Sequence, residues 1–139
     1  MQNRPKNELD YYSLKLLRDG IKEVFGNNEI SKWIFAQALH ETNGCRSTIF
    51  KKNKNCFGMK HPSKRFTFST GVTDGYATYD YILESIEDLK LWLNYHGIYK
   101  KNRNCTMSYY VKIIHKYGYY EDLEENYLNG LIYWYEKVI

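Results

Sequence analysis

Nothing in this chain of 139 residues is spaced to hold a metal. Cys45, Cys56 and Cys105 form no C-x-x-C pair, and His40, His61, His96 and His115 contain no H-E-x-x-H, so no metal and no cofactor are expected. Three cysteines are also too few, and odd in number, for a disulfide framework. They read as buried thiols in a reducing compartment, or as one nucleophile working with a distant histidine. Apolar runs of 18 residues or more are missing, so membrane insertion is not expected. The opening "MQNRPKNELD" has no apolar core of a secretory signal, which points to synthesis without one. Repeats, linkers and low-complexity tracts are also lacking, and one domain spanning residues 1–139 is expected.

Acids are scarce in two places. Thr42 to Thr73 carries Arg46, Lys51, Lys52, Lys54, Lys60, Lys64 and Arg65 with no Asp or Glu. From Leu89 to Tyr120, Lys90, Lys100, Lys101, Arg103, Lys112 and Lys116 again stand without an acid. Two basic segments beside a cleft would draw an anionic polymer, either nucleic acid or a carboxylate-bearing cell wall; a merely solvated surface reads the same way. What is abundant is tyrosine, with 15 copies. Its flat apolar face and hydroxyl suit sugar rings and stacked bases alike.

Hydrophobic periodicity predicts five helices: about Leu9 to Phe25, Glu29 to Thr42, a third opened by a Ser85–Asp88 capping box and stopped at Gly97, about Thr106 to Tyr117, and about Asp122 to Val138. "RFTFST", Gly71 and "DGYATYDY" read as a small β-hairpin after the second helix. The fold class is therefore mainly α with one β-hairpin lobe. Trp33, Trp92 and Trp134 fall in helical apolar patterns and are assigned to the core.

In the second helix Ile30, Ile34, Gln37, Ala38 and Glu41 share one face. A carboxyl ending an apolar stripe has its charged form disfavoured, and the helix C-terminus pushes the same way. Such a group can hold a proton near neutral pH and give it to a leaving oxygen, as glycoside hydrolysis requires. A structural Glu paired with Lys or Arg, or tilted into solvent, is the other reading.

"AQALHETNGCRS" followed by "NCFGMK" resembles the glucosaminidase family of bacterial autolysins and flagellar muramidases, whose pattern is roughly A-Q-A-x-x-E-[ST]-G-W-G-x-S, then N-L-F-G-[IV]-K. Ala36, Gln37, Ala38, Glu41, Thr42 and Ser47 match the first block; Asn55, Phe57, Gly58 and Lys60 match the second, with Met59 at its aliphatic position. "YATYDYILESIEDL" and "KYGYYEDLEENYLNGLIYWYEKV" are similar to later segments in the same order. The resemblance implies a lysozyme-like fold, with the β-lobe as one wall of a glycan groove. It also implies cleavage of the β-1,4 bond after N-acetylglucosamine in peptidoglycan. It places Glu41 as general acid, Tyr119 as the active-site tyrosine, and Tyr79 as a residue shaping or lining the cleft. Gln37 would orient Glu41 or bind sugar. Asn55, Phe57 and Gly58 would form the floor that receives an acetamido group, with Phe57 also an anchor in the core.

Two departures bear on mechanism. Asn43-Gly44-Cys45 replaces G-W-G, and "EDLEENY" is longer than the family's D-P-x-Y. A second carboxylate is expected from Asp74, with Asp80 behind it, or else the substrate's own N-acetyl oxygen attacks; Asp74 before Gly75 reads equally as a turn-forming residue. The partners expected are peptidoglycan strands, with no nucleic acid and a monomeric chain. The setting is a phage lysin, a virion-borne enzyme or an exported effector acting on the bacterial wall. The alternatives are a lytic transglycosylase or muramidase cutting the other glycosidic bond, and a non-catalytic basic module for glycan or nucleic acid.

Overall fold

A computed structural model of the chain describes residues 10–139. Leu9, the expected start of the first helix, lies outside them. Asp10 caps α1 (Tyr11–Phe25), accepting from the amides of Tyr12 and Ser13, and the helix buries Leu14, Leu17, Ile21 and Phe25. Asn28 caps α2 (Glu29–Thr42) in the same way, through the Ser31 amide. α2 is not the one-sided helix that its periodicity predicts: consecutive residues Phe35 to Leu39 are all buried. It runs through the middle of the domain, with α1 on one side and α5 (Met107–Lys116) and α6 (Glu124–Val138) on others, while α4 (Ile82–Tyr95) covers α1. Side chains on every face of α2 therefore meet protein.

Three expectations need correcting. A short helix, α3 (Thr48–Asn53), appears in a stretch with no helical period; Ser47 caps it, and Phe50 and Asn53 are its buried residues. The hairpin is smaller than predicted, with β1 (Gly71–Thr73) and β2 (Tyr76–Thr78) pairing in register Val72↔Ala77, and "RFTFST" forms no strand. Asp74 and Gly75 both have positive φ, 54° and 82°, the turn that matches strand twist. Last, α4 begins at Ile82, capped by Tyr81 and Glu84, and not at Ser85. Ser85 and Asp88 are spaced like a capping box but have more distant partners: the Ser85 hydroxyl accepts from the Cys56 amide, and Asp88 faces the 60s loop.

The hairpin is fastened to the rest by polar side chains. Asn53 donates to the Thr73 carbonyl at 2.9 Å, Asn55 to those of Met59 at 2.9 Å and Ala77 at 3.0 Å, and the Ala77 amide donates to Met59. The 60s loop is held by Asp88, which is wholly buried on α4. Asp88 accepts from Arg65 at 2.7 Å, from Thr67 at 2.8 Å and from the Tyr79 hydroxyl. Breaking a buried pair leaves one charge without a partner, and the loss is typically about 3–5 kcal/mol. Asp88→Ala is expected to lose that much stability in a urea titration; a loss below about 1 kcal/mol would mean that the loop is held by something else.

Candidate active site

Glu41 sits in the last turn of α2, just before three successive left-handed residues, Asn43, Gly44 and Cys45. It is half-buried. One carboxylate oxygen, Oε1, accepts from the Tyr127 hydroxyl at 2.9 Å. The other, Oε2, lies under Gly58, where an added Cβ would come within 2.8 Å of it. Gly58 also has φ of +64°, so both the turn and the close approach call for glycine. Burial raises the Glu41 pKa to about 7, and the Tyr127 hydrogen bond, which favours the anion, only partly offsets this. The carboxyl is thus poised to hold or release a proton near neutral pH.

Each neighbour is positioned by its own contacts. Tyr127 lies on α6 with its ring stacked on Tyr120 at 3.9 Å and the His40 ring edge-on at 4.9 Å. A Cβ at Gly130 would run into that His40 ring, so glycine there lets α6 approach α2. Asn55 holds the 55–59 loop closed, its side-chain oxygen accepting from the amides of Phe57 and Met59. Phe57 is fully buried, and its carbonyl accepts from the Tyr119 hydroxyl at 2.6 Å. Tyr119 follows Gly118, which is left-handed at φ 81°, and packs edge-on against Trp92 at 5.0 Å.

Glu41 opens into a groove of about 680 Å³ walled by Asn55, Gly58, Tyr76, Trp92, Tyr119 and Tyr120, among others. Lys60 and Arg65 line it too, but Lys60 lies over the Tyr76 ring at 4.4 Å and Arg65 is taken by Asp88. Of the expected site residues, Glu41, Asn55, Gly58 and Tyr119 meet at this groove, with Phe57 directly behind it. Gln37 is fully enclosed one turn below Glu41. Its side-chain oxygen accepts from Tyr110, while its nitrogen finds no partner among the described residues. Tyr79 is buried and reaches the groove only through Asp88 and Arg65.

Asp74 stands at the exposed hairpin tip, 2.9 Å from Lys52, and is not part of the groove wall; Asp80 is exposed and also outside it. The carboxylates that line the groove, among the described residues, are Glu41 and Glu121. Sequence reading missed Tyr127, Tyr120, Tyr76 and Glu121, and gave Trp92 wholly to the core. The thiols of Cys45 and Cys56 are free and buried, and burial pushes them up to about 11 and about 12, so both stay protonated.

A carboxyl with a raised pKa at the floor of an aromatic, polar groove suits acid-assisted cleavage of a glycosidic bond. The chain belongs to the glucosaminidase family: the family model described as mannosyl-glycoprotein endo-beta-N-acetylglucosaminidase matches residues 25–139. No curated protein and no solved structure matched it. Membership implies glycoside hydrolase activity of the kind that acts on peptidoglycan.

The Tyr127 bond gives a prediction with a definite sign. It lowers the pKa of Glu41, so Tyr127→Phe should raise it further. An acid catalyst is active while protonated, so the alkaline fall of kcat should move to higher pH in the variant, alongside a lower maximum. An alkaline limb that stays in place would mean that the Tyr127 bond does not set the titration behind it.

Proposed function

We propose that this protein is an endo-β-N-acetylglucosaminidase that cuts the β-1,4 bond after N-acetylglucosamine in peptidoglycan. The observation that carries the reading is the Glu41 carboxyl, raised to about 7 by burial at the floor of the groove. Protonated, it donates to the glycosidic oxygen as the bond breaks. Tyr127 fixes the direction of the carboxyl. Tyr119, anchored through its hydroxyl to the Phe57 carbonyl, forms the wall against which the reacting sugar rests.

The position of Asp74 bears on the second half of the reaction. Paired with Lys52 at an exposed turn and outside the groove wall, it is poorly placed to activate water. Glu121, the other carboxylate on the groove wall, is the remaining candidate base; without it, attack falls to the substrate's own N-acetyl oxygen. Asp74→Asn should then slow turnover by less than about tenfold, which is about 1.4 kcal/mol in the barrier. A larger fall with the fold intact would restore Asp74 as the base. The bond itself is named by mass spectrometry of the reducing ends after digestion of purified cell walls. N-acetylglucosamine ends are expected; muramic acid or anhydro-muramic ends would make the protein a muramidase or lytic transglycosylase instead.

Glu41→Gln tests both activity and electrostatics. Turnover should vanish, and continued clearing of cell walls would end the general-acid role. Stability should change with pH as well. The Glu41 pKa rises on folding from 4.5 to about 7, so the native state binds the proton more tightly than the unfolded chain does. The wild type is therefore unpenalised below pH 4.5, loses stability as pH rises through the folded pKa, and carries the full penalty above it. The variant, always neutral, should match the wild type at acid pH and be more stable above pH 7, by on the order of 3 kcal/mol.

A further inference from the structure

Next to the groove is a second pocket, of about 240 Å³, walled by Pro62, Ser63, Lys64, Arg65, Trp92, Tyr95 and His96. Pro62, Arg65 and Trp92 belong to both walls, so whatever lies in the groove can send a branch past Trp92 into this space. Its aromatic side is a connected set of rings. His96 lies 4.6 Å from Trp92, 5.0 Å from Tyr95 and 4.9 Å from Tyr117. Tyr95 is 57% exposed, a large aromatic surface that its own fold leaves uncovered.

The other side is basic and carries no acid. Arg65 is neutralised by Asp88, which leaves Lys64 as the cation offered outward: it is exposed and, among the described residues, has no ion-pair partner. A pocket with aromatic rings on one wall and a free ammonium on the other fits a chain of amide planes bearing carboxylates. A plain sugar ring would stack on the aromatics but would gain nothing from the charge of Lys64.

We infer that this side pocket binds the acidic peptide carried by the glycan strand, so that the protein reads the stem as well as the sugars. This rests on the peptidoglycan reading above. In such a polymer the peptide branches from alternate sugars, and a pocket opening from the side of the groove suits a branch better than a continuation of the strand.

The test compares kcat and KM on two soluble substrates: glycan strands with their peptide stems, and the same strands stripped of stems by an amidase. For the wild type, KM should be several-fold lower on the stem-bearing strands, and the advantage should shrink in high salt. Lys64→Glu should raise KM on stem-bearing strands about fivefold, the scale of one exposed charge contact, with kcat and the KM for stripped strands unchanged. Tyr95→Ala should act in the same direction. Both positions are exposed, so the variants should fold; circular dichroism checks this, and Lys64→Ala takes the place of Lys64→Glu if the charge reversal unfolds the chain. Equal wild-type KM on the two substrates, or variants that weaken both alike, would overturn the inference while leaving the hydrolase in place. Failure of the wild type to cut either substrate would bring down the hydrolase reading, and this inference with it.

Discussion

The carboxyl of Glu41, held between the Tyr127 hydroxyl and the backbone of Gly58, is the constraint to which the rest of the structure answers. It joins three parts of the chain that are far apart in sequence: the end of α2, the 55–59 loop and the first turns of α6. Each has a device that permits the junction. Gly130 allows α6 close to α2 by making room for the His40 ring, and Asn55 locks the loop with all of its amide capacity. Gly58 leaves the space that the carboxyl occupies. A larger residue at either glycine would force the acid out of position even though neither touches substrate as an acid or base.

The chemistry also depends on what is kept away from that carboxyl. Beside an unengaged guanidinium or ammonium, Glu41 would be held as an anion and could not donate a proton. The groove does contain Lys60 and Arg65, yet both are engaged elsewhere, one over the Tyr76 ring and the other in the buried pair with Asp88. The groups that surround Glu41 are tyrosines. Tyr110, Tyr119 and Tyr127 are all raised well above the ordinary phenol range by burial and by the nearby carboxylate, so they remain neutral donors. Tyr127 donates to Glu41, while Tyr119 donates to the Phe57 carbonyl and Tyr110 to Gln37; a neutral donor orients the carboxyl while stabilising its anion far less than a cation would. The buried Arg65–Asp88 pair therefore serves the site twice, fixing the 60s loop and removing a positive charge from the acid's surroundings.

How much of this the sequence disclosed depended on the range of each interaction. The helix face and the two motif blocks pointed to Glu41 and Gly58 because both signals are local: one turn of helix, or a few residues around a glycine. The chain order of helices and hairpin was legible for the same reason. Ser85 and Asp88 misled because their three-residue spacing copies a local cap, whereas their partners, Cys56 and Arg65, come from another segment. α3 buries Phe50 and Asn53 alone and is too short to show a period. Tyr127 was hidden by the length of "EDLEENY", since a tyrosine displaced from the expected spacing cannot be assigned to a site before α6 is seen against α2. Asp74 was attractive only as an acid on the β-lobe, and position along the chain did not reveal that it pairs with Lys52 outside the groove wall.

This chain also departs from its family's pattern close to Glu41. The position where the family has tryptophan after its catalytic glutamate is Gly44 here, buried and left-handed between Asn43 and Cys45, which take left-handed conformations where the family has glycine. Gly44 itself offers the carboxyl no ring. Aromatic surface comes instead from the opposite wall, where Tyr119 and Tyr120 follow Gly118 and Tyr120 stacks on both Tyr127 and His115. The stack His115–Tyr120–Tyr127 ends at the Glu41 carboxyl and begins on α5, so the orientation of the acid is coupled to the packing of α5 against α6. In this chain the rings that reach the Glu41 carboxyl are a stack built by α5, the segment that follows it and α6.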